Sequence, residues 1–160
     1  MSAMKLLVSA CLLGVCCRYD QKTAPDETVI SLGKVHQLIP VCPEQLGGLP
    51  TPRLPAEICG NAVIRQDGAD ITDAYTRGAA EALRIAKLYG CRYAVLKERS
   101  PSCGSGTIYD GSFSKTLIDG DGVTAKLLQQ NGITVIGESA LNDFLRTCAT
   151  CSPTETEKII

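Results

Sequence analysis

The apolar residues of this chain gather in four short continuous runs, at 6–10, 38–42, 93–97 and 133–136, each the length of a strand and several rich in β-branched side chains. They are not diluted by polar residues at every second position. That pattern suits strands covered on both faces, as in a parallel sheet. Between the second and third runs the period changes. Over 73–89, Tyr75, Ala79, Ala82 and Ala86 recur on one helical face, with Thr72 or Asp73 placed to cap the start and Gly90 to stop the end. A second helix is predicted over 123–130, closing at Asn131-Gly132, and a third over 141–146, after Ser139. Residues 62–73 read as a side hairpin turning at Asp67-Gly68.

Alternation of strand and helix predicts an α/β fold: a single Rossmann-like or flavodoxin-like three-layer domain with a mainly parallel sheet and a side hairpin. Its expected extent is 1–147, and the polar stretch 148–160 is expected to fray. A chain of 160 residues is long enough for one domain with a real core.

Net charge of -1 gives no basic field for nucleic acid or an anionic membrane. With 4% aromatic residues and no tryptophan, the chain is also poor in stacking platforms for single strands.

The stretch "MKLLVSACLLGVCCRYD" superficially resembles an export signal. Only residues 6–10 separate Lys5 from Cys11, however, short of the roughly 7 to 15 apolar residues a signal needs. The run is therefore taken as a buried strand. Nine cysteines, an odd number in a chain with ample apolar residues, argue against a disulfide framework. A reducing, cytoplasmic setting follows, with metal or catalytic roles for some of the thiols.

Open parallel sheets bind ligands beyond the carboxyl ends of their strands. Cys11 follows the first run, Cys42 ends the second, and Cys103 lies in "LKERSPSCGSG" after the third, so the fold is expected to bring these three together. Convergent thiolates suit either zinc or an iron–sulfur cluster. The one C-x-x-C pair, Cys148 and Cys151, stands at the far end of the chain, and three ligands leave one metal position open for chemistry. Glu44 lies two residues from Cys42 and can exchange protons. Ser100 and Ser102 flank Cys103, and the Gly104-Ser105-Gly106 backbone can face an anion. Ser102, Gly104, Ser105 and Gly106 are the expected substrate contacts.

The segments "SACLLG", "VCPEQLGGLPTPR", "DITDAYTRGA", "LKERSPSCGSGTIYDGSF" and "GDGVTAKLL" resemble the thiouracil desulfidase family, over about residues 5–137. The resemblance implies a non-redox desulfidase with a 4Fe-4S cluster on Cys11, Cys42 and Cys103 and a fourth iron open. It implies that Glu44 is the catalytic acid/base and Ser100 the catalytic serine. The family pattern has no cysteine where Cys16 stands, which sets Cys16 aside. Cys17 occupies a variable position and stays open as a ligand. Longer relatives carry an extra domain and resemble tRNA thiouridine desulfidases; its absence here implies a small thiolated pyrimidine base or nucleotide, such as 4-thiouracil, 2-thiouracil or 4-thiouridine monophosphate, rather than tRNA.

Cys59, Cys91, Cys148 and Cys151 are read as small hydrophobes. His36 is read as a surface or helix residue, and Arg53 as a candidate anion contact. Arg18, Tyr19 and Asp20 form either a solvated turn or the entrance to the site. The stretch "GSGTIYDGSF" carries an Asp-Gly turn signal and, being joined to Cys103, is expected to wall the pocket as well. Two other function classes are a cysteine-rich metal or cluster carrier, in which Glu44 and Ser100 do no chemistry, and a zinc hydrolase or deaminase. The latter is weakened by the missing H-x-E and P-C-x-x-C pairing.

Overall fold

The computed structural model describes residues 2–150. Along the chain the elements are β1 (Lys5–Ser9), α1 (Glu27–Ser31), β2 (Gln37–Val41), α2 (Pro43–Leu46), β3 (Ala56–Cys59), β4 (Ala62–Arg65), α3 (Thr72–Tyr89), β5 (Tyr93–Leu96), β6 (Thr107–Tyr109), β7 (Leu117–Asp119), α4 (Val123–Gln130), β8 (Thr134–Gly137) and α5 (Leu141–Thr150). The four apolar runs became β1, β2, β5 and β8. They form one wholly parallel sheet in the order β2-β1-β5-β8, with Leu7 paired to Ile39 on one side and to Ala94 on the other.

Alternation along the strands sorts the core into two slabs. Leu6, Val8, Val95 and Ile136 pack with Val29, Leu32 and Leu141, on the side of α1 and α5. Leu7, Ile39, Val41, Ala94 and Leu96 pack with Ala86, Ala125 and Leu128, on the side of α3 and α4. Three layers result. Each fully buried leucine among them contributes roughly 1.5–3 kcal/mol relative to exposure.

Helix α3 buries Tyr75, Ala79, Ala82 and Ala86, the stripe expected, and ends at Gly90 in a left-handed conformation with φ 70°. Its start differs from expectation. Ile71 is the residue before the helix, and the Thr72 hydroxyl instead accepts the Val63 amide at 2.9 Å, tying β4 to α3.

The side hairpin has a further arm. The chain does turn back at Asp67-Gly68, where Ile64 bridges Asp70 antiparallel and the Arg65 amide donates to the Ala69 carbonyl at 2.8 Å, but the longer pairing is that of β3 with β4 across Gly60-Asn61. Strand β3 is short, and Glu57 interrupts its apolar pattern, which hid it. A second hairpin, β6 with β7, carries the seven-residue loop 110–116 rather than a two-residue turn. Helix α5 continues through Cys148 to Thr150, beyond the expected 146; Cys151 and residues 152–160 lie outside the described part of the chain. His36 is buried, not at the surface, and its Nδ1 accepts the Met4 amide at 3.1 Å.

One contact sets the geometry of the site. A Cβ added at Gly78 of α3 would stand 1.8 Å from the Pro43 carbonyl oxygen, and one added at Gly47 would stand 2.0 Å from that of Ala74. Helix α2 therefore lies backbone to backbone on α3, an approach open only to glycine. That contact carries Glu44 up to Tyr75.

Candidate active site

The carboxyl ends of β1, β2 and β5 open on one cavity of about 460 Å³, lined by Cys11, Cys17, Cys42, Cys103, Glu44 and Ser100 among others. This is the crevice where an open parallel sheet binds its ligands. Cys11 lies in the short 3-10 turn Ala10–Leu13 that follows β1, Cys42 precedes α2, and Cys103 lies in the turn after β5. The three expected ligand residues thus line the same cavity. Cys16 is exposed and outside the cavity, whereas Cys17 is buried within it.

Cys17 bridges two of the other thiols. Its thiol donates to Cys11, which lowers the Cys11 pKa and raises that of Cys17 to about 11. Cys42 is raised as well, first by its thiol hydrogen bond to Cys17 and then by burial. Its Sγ also reaches the Cys17 carbonyl at 3.7 Å. Burial pushes Cys103 up to about 12, against hydrogen bonds from Ser9 and Ser102. Of these four free thiols, Cys11 is the one readiest to ionise. All eight described cysteines are free of disulfides.

Glu44, in the first turn of α2, is clamped through one oxygen. Its Oε1 accepts the Tyr75 hydroxyl at 2.6 Å and the Arg53 Nε at 3.2 Å. Arg53 also donates to the carbonyls of Pro50 and Cys17 and to the Thr51 hydroxyl, at 3.0–3.1 Å. Its guanidinium is therefore committed to positioning Glu44 and does not stand ready for a substrate anion. Burial and the adjacent Glu44 carboxylate raise the Tyr75 hydroxyl well above its usual range, so it serves as a donor. Sequence reasoning placed Tyr75 on the buried face of α3 and missed this role.

Ser100 follows Arg99, whose φ of 63° is left-handed. The Ser100 Oγ accepts the amides of Ser102 and Cys103, each at 3.1 Å. With its lone pairs so engaged, the hydroxyl has its proton to offer and is a poor nucleophile.

The expected substrate loop is not brought to the cavity. Ser102 is buried, its hydroxyl 2.7 Å from that of Thr124. The Gly104 amide donates to the Ser100 carbonyl at 2.8 Å and the Gly106 amide to Asp121 Oδ1 at 2.7 Å, while Ser105 faces Gln129. Gly104 is there for space, since a Cβ would stand 2.7 Å from the Ser100 carbonyl oxygen. Other residues line the cavity instead: Arg18 and Tyr19 at the entrance, then Glu57, Lys97, Arg99, Tyr109, Phe113 and Lys115. Arg18 pairs with Asp20 at 3.4 Å and Lys97 with Glu138. Arg99 and Lys115 make no ion pair among the described residues. The "GSGTIYDGSF" hairpin does wall the pocket.

A thiol-lined crevice at the carboxyl edge of a parallel sheet, with a clamped carboxylate and a serine among its lining residues, defines a site for a small ligand. The chain belongs to the 2-thiouracil desulfurase family, whose model matches residues 6–140. It is 45% identical over 150 residues to the uncharacterized protein YbbK of Bacillus subtilis (strain 168), covering 88% of this chain and 99% of that relative. Among solved structures it is similar to the [4Fe-4S]-dependent thiouracil desulfidase TudS, with a TM-score of 0.85 and 42% identity over 91% of this chain and 98% of that one.

Proposed function

We propose that the protein is an iron–sulfur-dependent desulfidase that converts a thiolated uracil to the uracil form by redox-neutral hydrolysis. Thione and water enter; the carbonyl and hydrogen sulfide leave. The observation that carries this reading is the opening of Cys11, Cys42 and Cys103 on one cavity beside Glu44 and Ser100. Family membership and the likeness to TudS support it.

The donor set fits a cluster. All three groups are soft sulfur ligands. The likeness to a [4Fe-4S]-dependent desulfidase favours a 4Fe-4S cluster over one zinc at these thiols. Held by Cys11, Cys42 and Cys103, the cluster would supply an open iron that draws electron density from the thione sulfur.

The remaining chemistry belongs to the chain. Glu44, with Oε1 held by Tyr75 and Arg53, presents its other oxygen to a water, takes a proton from it as the carbon–oxygen bond forms, and returns a proton as sulfide leaves. Ser100 relays the second proton, giving its own to the ring or the departing sulfur and taking in return the one the new hydroxyl loses as the carbonyl forms. Arg99 and Lys115 are the cations available to a substrate phosphate, so 4-thiouridine monophosphate is a substrate alongside 4-thiouracil and 2-thiouracil. The site is proposed to work in the reducing cytoplasm; no helix among the described residues is long and apolar enough to cross a membrane.

Anaerobically purified protein is expected to hold about four irons per chain and to release sulfide from 4-thiouracil without added reductant. Glu44→Gln keeps the cluster and loses at least about 100-fold in kcat. Stoichiometric zinc without acid-labile sulfide, or a need for stoichiometric reductant, would overturn the reading. Near-normal turnover by Glu44→Gln would remove Glu44 from the proton transfers, and a cluster-loaded chain that releases no sulfide would return the cluster-carrier reading.

A further inference from the structure

Seven residues in this chain are aromatic, and four of them, Tyr19, Tyr75, Tyr109 and Phe113, line the one cavity that holds the thiols. Tyr75 is committed to Glu44. Phe113 has no polar group and is only half-buried, so its ring stands at the cavity wall with apolar surface to cover.

The backbone under Phe113 is held in an unfavourable conformation. Its φ is 57°, and that of Lys115 is 62°, left-handed values that side chains rarely adopt; together with Arg99, three of the four such residues in the described chain line this cavity. Strain of this kind persists where surrounding structure enforces it, and it gathers at functional sites.

The enforcing contacts are specific. Glu57 of β3, buried at 6% exposure, accepts the Phe113 amide through Oε2 at 2.9 Å. Gly111 lets the loop lie on the hairpin, since a Cβ there would stand 2.8 Å from the Ile58 carbonyl oxygen. Hydrogen bonds of 2.5–2.7 Å link Asp110, Ser112, Ser114 and Thr116 along the exposed side. A buried carboxylate that fixes one loop amide costs desolvation, and what it secures is the position of a phenyl ring.

We propose that Phe113 is the specificity residue that stacks on the pyrimidine ring, and that Glu57 is the positioning residue that holds it there. The proposal rests on the desulfidase reading for the identity of the ring. A flat heterocycle seated between the thiol wall and a phenyl face is bound without any demand on its exocyclic sulfur, so the contribution falls on binding rather than on the chemical step.

The test compares Phe113→Leu, Phe113→Tyr and Glu57→Ala with the wild type. Two quantities are read: kcat and KM for 4-thiouracil on the loaded enzyme, and the affinity of 2-thiouracil for the cluster-free chain by calorimetry. Phe113→Leu is expected to raise KM about 5- to 100-fold, the range of base–aromatic stacking, with kcat within about threefold. Phe113→Tyr keeps the ring and stays near wild type. Glu57→Ala frees the loop and follows Phe113→Leu, and calorimetric affinity falls in step with KM. Thermal melting within a few degrees of wild type checks the fold.

Unchanged affinity and KM in Phe113→Leu would overturn the stacking role. A wild-type chain that binds the ring but, once loaded with its cluster, releases no sulfide would overturn the desulfidase reading alone. One that binds no thiolated uracil would overturn both.

Discussion

Replacing Gly78 with alanine tests how far catalysis depends on the contact between α2 and α3. The added Cβ would lie 1.8 Å from the Pro43 carbonyl oxygen, and real Cβ contacts stay beyond 3.0 Å, so the two helices must separate by about 1.2 Å. Two effects on stability oppose each other. Alanine in a helix interior is better than glycine by about 1 kcal/mol, while overpacking costs about 1–3 kcal/mol. The net loss is small, about 0–2 kcal/mol, which moves Tm by at most several degrees in a chain of this size.

Geometry suffers more than stability. Tyr75 moves with α3 and Glu44 with α2, so their 2.6 Å hydrogen bond stretches beyond bonding distance and the carboxylate keeps only Arg53 to orient it. A misplacement of about 1 Å can cost roughly 100-fold in rate. The expected result is therefore a kcat lowered about 100-fold in a folded protein that still holds its cluster, read by sulfide release from 4-thiouracil beside melting curves and iron content. Leu128→Ala is the control: it opens a cavity in the slab under α4, costs about 2–5 kcal/mol, and leaves kcat near wild type. If Gly78→Ala kept kcat within threefold, or Leu128→Ala lost as much activity, the helix contact would not be what aims Glu44.

Tyr75→Phe removes one of the two donors to Glu44 and is expected to lower kcat about 10-fold or more with KM and iron content unchanged, by steady-state kinetics beside metal analysis. Cys103→Ala is expected to lose the cluster and Cys17→Ala to retain it, measured as iron and acid-labile sulfide after anaerobic purification; loss of iron in Cys17→Ala would make Cys17 a ligand. Lys115→Ala and Arg99→Ala are expected to raise KM for 4-thiouridine monophosphate about 5-fold or more and leave that for 4-thiouracil unchanged, as loss of a charge-assisted phosphate contact does.

The sheet was legible because four apolar runs can satisfy only a structure with both faces covered, and α3 was legible because Tyr75, Ala79, Ala82 and Ala86 repeat at the helical period. The order β2-β1-β5-β8 was not, since strand order depends on crossovers that leave no local mark in composition. The short elements failed for another reason. α2 has only Pro43–Leu46 and β3 only Ala56–Cys59, too few residues for a period to emerge.

For the site, the convergence of Cys11, Cys42 and Cys103 followed from one rule about strand ends, and the carboxylate and serine beside them were visible as near neighbours in sequence. Cys17 was harder, because in "VCCRYD" adjacent cysteines look equivalent, and only the turn after β1 sends Cys17 inward and Cys16 outward. The glycines misled in an instructive way. In "SCGSG" they suggested exposed amides for an anion, but Gly104 is glycine because the Ser100 carbonyl lies where its side chain would be. The opposite holds at Gly47 and Gly78, whose missing side chains looked incidental in "QLGGLP" and "TRGAAE". There the absence of two methyl groups is what lets α2 touch α3, and hence what lets a tyrosine 31 residues away hold the Glu44 carboxylate. A small residue in a site motif is thus open to two physical causes, exposure of its own backbone or approach of another's. Only the fold tells which applies.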